Sequence, residues 1–337
     1  METAHQGKRS LRFPEPPVLL SYASVAGKKE SEGPLRNTFD VTTKDTKFGQ
    51  KTWEKAETQM QKTAMLLAMQ KAGLTEADLD AAFVGDLLNQ CIGSSFSMRN
   101  NDVPTFGLYG ACSTMAEGLV LAAMAVSGGF CRKTLTLSSS HFASSERQYR
   151  FPLGYGGQRT PTAQWTVTGA GAVILGNRGE GLRLKTATIG TIVDRGIKDA
   201  NNMGAAMAPA AFATLRAHFD DLQCTPEDYD LIVTGDLGRL GSHIVRELFE
   251  REGVHLGARY DDCGVMIFDT EKQDVHCGGS GCGCSASVLC GHLLGKLERG
   301  ELRRLLFCGT GALLSPLSTQ QGESIPAVCH AISIDRN

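Results

Sequence analysis

The chain alternates between apolar residues at helical spacing and short, wholly apolar runs. Trp53, Ala56, Met60, Ala64, Leu67 and Ala68 recur with a helical period and predict an amphipathic helix over 53–72. Short buried strands are expected at 81–84 and 231–234. Longer apolar stretches at 115–126 and 288–297 read as buried helices, each followed by a glycine, a basic residue and a strand (132–139 and 304–310). Pro209 is placed to open a helix over 209–222, and Ser242 to cap another over 242–252. Residues 140–168 show little periodicity and read as a long ordered loop, the kind of segment that usually carries function.

These elements occur twice. The string Thr75-Glu-Ala-Asp78-Leu-Asp80-Ala-Ala-Phe-Val-Gly85-Asp86-Leu87 is echoed by Thr225-Pro-Glu-Asp228-Tyr-Asp230-Leu-Ile-Val-Thr-Gly235-Asp236-Leu237. Gly110-Ala-Cys112-Ser before the first buried helix is echoed by Gly283-Cys284-Ser285-Ala before the second. Strand, helix and strand in that order, twice, predict βαβ-type units in a duplicated α/β fold. The expected halves are 1–180, which contains the 140–168 loop, and 181–337.

Composition narrows the function. With 337 residues the chain is long enough for two α/β halves. A net charge of -2 provides no basic field for nucleic acid. No apolar run approaches a membrane span, and the polar N-terminus has no signal core, so the protein is expected to be cytosolic. The 11 cysteines include no CxxC pair. Cys282 and Cys284 form a CxC that would need two more ligands to hold a metal, so neither a metal nor a cofactor is expected.

Candidate chemistry centres on Cys112. A strand delivers it to the first turn of a buried helix, where unpaired N–H groups and the helix dipole favour a thiolate or a bound anion. It is read either as a nucleophile or pocket residue, or as a small side chain packed under the helix. Asp86 and Asp236 close equivalent strands, where a pocket role and local turn bonding are both open. Asn89 could donate through its amide. Ser140, His141, Arg147, Arg150 and Arg159 lie in or beside the long loop with Tyr149, Phe151 and Tyr155, as a hydrogen-bonding and cationic set. Ser280, Cys284, Ser285 and Thr310 complete the candidate ligand-binding residues.

The Cys112 segment and the duplication resemble the cysteine turn and paired halves of thiolases and β-ketoacyl synthases. That resemblance implies a five-layered α-β-α-β-α fold with two pseudo-dyad-related halves, and a homodimer. Seven longer strings resemble the stage V sporulation protein AD family. They are Phe83-Val-Gly-Asp-Leu-Leu-Asn-Gln90, Phe106-Gly-Leu-Tyr-Gly-Ala-Cys-Ser-Thr114, Ser139-Ser-His141, Tyr155-Gly-Gly-Gln158, Met207-Ala-Pro-Ala-Ala211, Gly279-Ser-Gly-Cys282 and Gly309-Thr-Gly-Ala-Leu-Leu-Ser-Pro316. This second resemblance implies a sporulation protein that binds dipicolinic acid, as the free acid or its calcium chelate. It would act as a peripheral subunit of a membrane channel complex at the forespore face of the spore inner membrane.

Thiolase chemistry also needs an imidazole base and an oxyanion donor. The turn Gly235-Asp-Leu-Gly238 has no His or Asn, and Ser280 stands where the resemblance implies a His. His243 and His276 lie near these segments, either as substitute bases or as ordinary surface residues. Binding is therefore expected rather than catalysis. The alternatives are a cysteine-dependent acyl-thioester transferase using Cys112, and a structural subunit that only docks membrane partners.

Overall fold

The computed structural model describes residues 4–149 and 158–336. Arg150, Phe151 and Tyr155 lie outside the described residues.

Ten strands carry the architecture. In the first half they are β1 (Val18–Ala26), β2 (Ala81–Gly85), β3 (Thr105–Leu108), β4 (Lys133–Ser140) and β5 (Gly169–Gly176). In the second they are β6 (Arg183–Thr188), β7 (Leu231–Thr234), β8 (Tyr260–Asp262), β9 (Arg304–Ala312) and β10 (Ala327–Asp335). The first five lie in the order β1-β5-β4-β2-β3 and the second five in the order β6-β10-β9-β7-β8. The pairing sense also repeats: two antiparallel pairs, then two parallel ones. The sets meet where Arg183 pairs with Val18.

Helix α1 (Trp53–Ala72) packs its Met60, Ala64 and Met65 on strands of the first half. Helices α4 (Met203–Leu222) and α5 (Gly238–Glu250) cover the second half. Helix α2 (Thr114–Ser127) and helix α6 (282–299) lie between the halves, in one core with Phe83, Val173, Phe307 and Ile332. This is a five-layered α-β-α-β-α stack. Its central helices are rich in apolar residues because most of their surface is covered by the two sheets.

The sequence repeat has a structural cause. Thr75 with Asp78 and Thr225 with Asp228 form matching capping boxes. Asp80 accepts from the Arg132 and Lys133 N–H groups at 2.6 and 3.1 Å, and Asp230 from those of Arg303 and Arg304 at 2.7 and 3.0 Å. In each half the second aspartate pins the start of the central strand.

Four expectations are corrected. The 140–168 stretch holds helix α3 (Phe142–Tyr149) and a short strand, Trp165–Thr166. The helix escaped notice because its inner face is polar: Ser144 donates to buried Glu57 at 2.7 Å, and Thr166 donates to Glu146 at 2.7 Å. Helix α4 begins at Met203 behind Asn202, which accepts from Ala205 N–H at 3.4 Å, so Pro209 lies inside it. Helix α5 begins at Gly238 rather than 242. Its first turn is capped from another strand, with Asp262 accepting the Leu237 and Gly238 N–H groups at 2.8 and 2.9 Å. Helix α6 begins at Cys282 and passes through a π-turn at Leu289–Leu293 before ending at Arg299.

Candidate functional site

Cys112 lies on a one-turn 3-10 segment, Ala111–Ser113, between β3 and α2. Ala111 has a φ of 50°, a left-handed conformation that disfavours a side chain. The turn is pressed against β9, where a Cβ on Gly311 would come within 2.2 Å of the Gly110 carbonyl oxygen. Ser113 Oγ donates to that carbonyl at 2.7 Å and Thr114 Oγ1 to the Ala111 carbonyl at 2.7 Å, locking the turn.

The cysteine lines a pocket with Leu87, Tyr109, Glu146, Tyr149, Thr166, Met203, Ser280 and Leu314. Its cavity volume is about 50 Å³. The Tyr109 and Tyr149 hydroxyls hydrogen-bond each other, and Tyr149 donates to the Leu87 carbonyl, so the two phenols form a linked wall.

Behind the sulfur stands Asp236, fully buried. Thr310 Oγ1 donates to its Oδ1 at 2.8 Å, and Ser280 Oγ and the Gly281 N–H donate to Oδ2 at 3.1 and 2.8 Å. The Cys112 thiol faces the same carboxylate. Gln164 Nε2 donates to the Asp236 and Gly279 carbonyls at 2.7 and 2.8 Å, tying the two turns together. Burial, then the negative charge of Asp236, holds the Cys112 thiol well above its ordinary range. Burial also raises Asp236, against the hydrogen bonds it accepts. A reactive cysteine needs a cation, a helix dipole or a base to favour the thiolate. Here the start of α2 is opposed by an anion facing the sulfur, and none of the eight histidines lines the pocket.

The structure therefore brings together Cys112, Asp236, Ser280 and Thr310. It places the other candidates elsewhere. Asp86 accepts the Leu88 and Ser94 N–H groups at 2.8 and 2.7 Å and the Ser94 hydroxyl at 2.6 Å, which makes it a turn and helix cap. Asn89 is exposed, and its N–H donates to Gln148 at 3.0 Å. Ser140 donates to the Val167 carbonyl at 2.7 Å and accepts from Gly283 N–H at 3.1 Å, joining β4 to α6. Cys284 and Ser285 are buried in α6. His141 bonds the Thr46 carbonyl at 2.8 Å on the far side of α3. Arg147 pairs with Glu54 on the surface. Arg159 pairs with Asp274 at 2.9 Å. His243 and His276 pair with Glu247 and Asp274 at 3.0 and 3.2 Å, away from the sulfur. Among the described residues no cluster of three or more His, Cys, Asp or Glu is placed to hold a metal ion.

Glu146, Thr166 and the tyrosine pair were not anticipated as a group. One signal was present: Glu146 and Tyr149 are three residues apart, the spacing that puts two side chains on one helix face.

Solved structures share this fold. The 3-oxoacyl-(acyl-carrier-protein) synthase III of Aquifex aeolicus superposes with a TM-score of 0.57 over 95% of this chain and 99% of its own, at 12% identity. Cerulenin-bound OleA of Xanthomonas campestris gives 0.60 over 96% and 100%, at 16% identity. The fold is thus thiolase-like. The stage V sporulation protein AD of Bacillus subtilis is 44% identical over 330 residues, covering 98% of this chain and 97% of that protein. The profile of the stage V sporulation protein AD family matches residues 7–335. The chain belongs to that family, and its role is in sporulation.

Proposed function

We propose that the protein binds dipicolinic acid, pyridine-2,6-dicarboxylate, for uptake into the developing spore, and that its thiolase-like pocket serves binding instead of acyl transfer. The observation that carries this reading is the buried carboxylate at the sulfur. Asp236 accepts from Ser280, Thr310 and Gly281 and faces Cys112, and none of the eight histidines lines the pocket to shuttle a proton.

The pocket's remaining chemistry suits a flat ring with oxygen acceptors. Leu87, Met203 and Leu314 give apolar walls, and the Tyr109, Tyr149, Thr166 and Ser280 hydroxyls give polar groups that would exchange their present protein acceptors for ligand oxygens. Among the described residues no Lys, Arg or His lines it, while Glu146 does. Electrostatics therefore favour a charge-compensated ligand, the calcium chelate, over the free dianion. An apolar cavity on the order of 150 Å³ takes up benzene. At about 50 Å³ the pocket admits a ring only when the linked tyrosine wall moves outward.

The partners in this reading are other membrane-channel subunits and a second copy of the chain, at the forespore face of the spore inner membrane. Among the described residues no helix is long and apolar enough to cross a membrane, which suits attachment through such partners. Calorimetry on the purified chain tests the ligand. Dipicolinate with calcium should bind, and picolinate, with one carboxylate, should bind far more weakly. Equal binding of the two would end paired-carboxylate recognition. No binding of either would leave only the docking role.

A further inference from the structure

Lysines gather where the chain leaves β1 and enters α1. β1 and the short strand Val41–Thr42 run parallel, with Ala26 beside Thr42, so Lys28 and Lys44 leave the two strand ends as neighbours. Lys28 and Lys29 line the same cleft as Trp53. Lys47 Nζ stands 5.7 Å from the Trp53 ring centre. Lys51 and Lys55 flank Thr52, the N-cap of α1, whose hydroxyl accepts from Lys55 N–H at 3.3 Å. These contacts join the six lysines into one patch around the start of α1. Lys29 is half-buried and the other five are exposed.

The fold does not neutralise this patch. Among the described residues none of the six lysines enters an ion pair. The nearby acids are engaged or withdrawn. Asp40 pairs with Lys71 at 2.6 Å, and Glu54 pairs with Arg147. Asp45 turns its carboxylate to the Lys47 and Gly49 N–H groups at 2.9 and 2.7 Å, and Glu30 is buried. Only Glu32 is both exposed and unpaired in this stretch. Local stability does not account for the placement either. Like charges repel one another, and cations at a helix N-terminus oppose its dipole, yet Lys51 and Lys55 stand at that end of α1. In a chain of net charge -2 this is a concentrated field of the opposite sign.

We infer that the lysine patch is a docking surface for an anionic membrane, which it meets at the lipid headgroups. The residue type selects this occupant. Ammonium groups are point charges on flexible stems and suit a diffuse, laterally mobile layer of phosphates, whereas a defined phosphate or base edge is better held by arginine forks. A single-stranded nucleic acid would need bare aromatic faces to stack on. Here Trp165 is covered by Phe142 at 3.8 Å and by Lys29 at 4.0 Å, and Trp53 lies under Lys47 and Arg147. The inference goes beyond the attachment through channel subunits proposed above: it gives this chain its own contact with the bilayer, independent of what fills the Cys112 pocket.

The test is co-sedimentation of the full chain with phosphatidylcholine vesicles, with and without phosphatidylglycerol. Binding is expected only to the anionic vesicles, at about 0.1 M salt, and should be lost at about 1 M, where screening shortens the reach of each charge to about 3 Å. Lys47→Gln and Lys51→Gln should each lower the partition coefficient about fivefold, and together about twenty-fivefold. Lys198→Gln, an exposed lysine away from the patch, should leave it unchanged. Vesicle binding without calorimetric binding of dipicolinate would support the patch and sink the ligand reading, and dipicolinate binding without vesicle binding would do the reverse. Equal binding to neutral and anionic vesicles, binding that survives the double variant, or binding to single-stranded DNA but not to vesicles would overturn the inference.

Discussion

Replacing Asp236 with Asn isolates the role of its charge, since the amide has nearly the same shape. The carboxylate accepts from Thr310, from Ser280 and from the Gly281 N–H, and faces Cys112. The backbone donor cannot turn away, so the amide oxygen must face Gly281 and the amide nitrogen Thr310. Thr310 Oγ1 already accepts from Asp236 N–H at 3.2 Å, so it becomes a double acceptor whose own proton is left without its former partner. One buried donor left unpaired costs about 1–3 kcal/mol, partly offset by removal of a buried charge. Asp236→Asn should therefore fold with a lower urea midpoint and an unchanged slope. It should also free Cys112 from the facing anion, so that the thiol titrates lower. Each unit of that fall multiplies the thiolate fraction about tenfold at a given pH. The assay is iodoacetamide labelling across pH, read at the Cys112 peptide by mass spectrometry. An unchanged labelling profile in a folded Asp236→Asn protein would refute the claim that Asp236 keeps the thiol protonated.

Other outcomes follow from the same structure. Gly311→Ala should push the Gly110–Ser113 turn off β9 and cost about 1–3 kcal/mol by overpacking, whereas Gly107→Ala, with nothing within 4 Å of its added carbon, should change the urea midpoint little. Cys112→Ala should leave the fold intact and weaken dipicolinate binding, and unaltered affinity would reduce Cys112 to packing. Stability should fall as pH rises from about 6.5 to 8. Burial, then the charge of Asp86, raises Glu57 to about 8; burial raises Glu30 and Asp262 to about 7. The folded state thus binds more protons than the unfolded one in this window, and the preference is lost as pH passes the folded values. His218 and His330, lowered by burial to about 3 and 4, act with opposite sign, and only below about pH 6.5. A urea midpoint that rises over this range would contradict the assignment.

The fold was legible because the repeated residues do the same mechanical work in each half. Asp78 and Asp228 close capping boxes, and Asp80 and Asp230 hold the start of β4 and β9. The site was less legible because equivalent residues diverged in what they reach. Asp86 bonds its own next turn, a local contact, while Asp236 faces a sulfur and bonds a strand far away in the chain. Nothing in the local strings distinguishes the two. His141, just before the helix, and Arg147, within it, stood beside the site in sequence but lie on the side of that helix turned away from it. A helix with a polar buried face has no apolar stripe to announce it.

The central claim is that Cys112 is held as a protonated thiol and carries no acyl group. Incubating the purified protein with an acyl-thioester and weighing it intact by mass spectrometry tests this most directly. The account predicts the unmodified mass, even at long incubation. A stoichiometric acyl adduct that maps to Cys112 would contradict it.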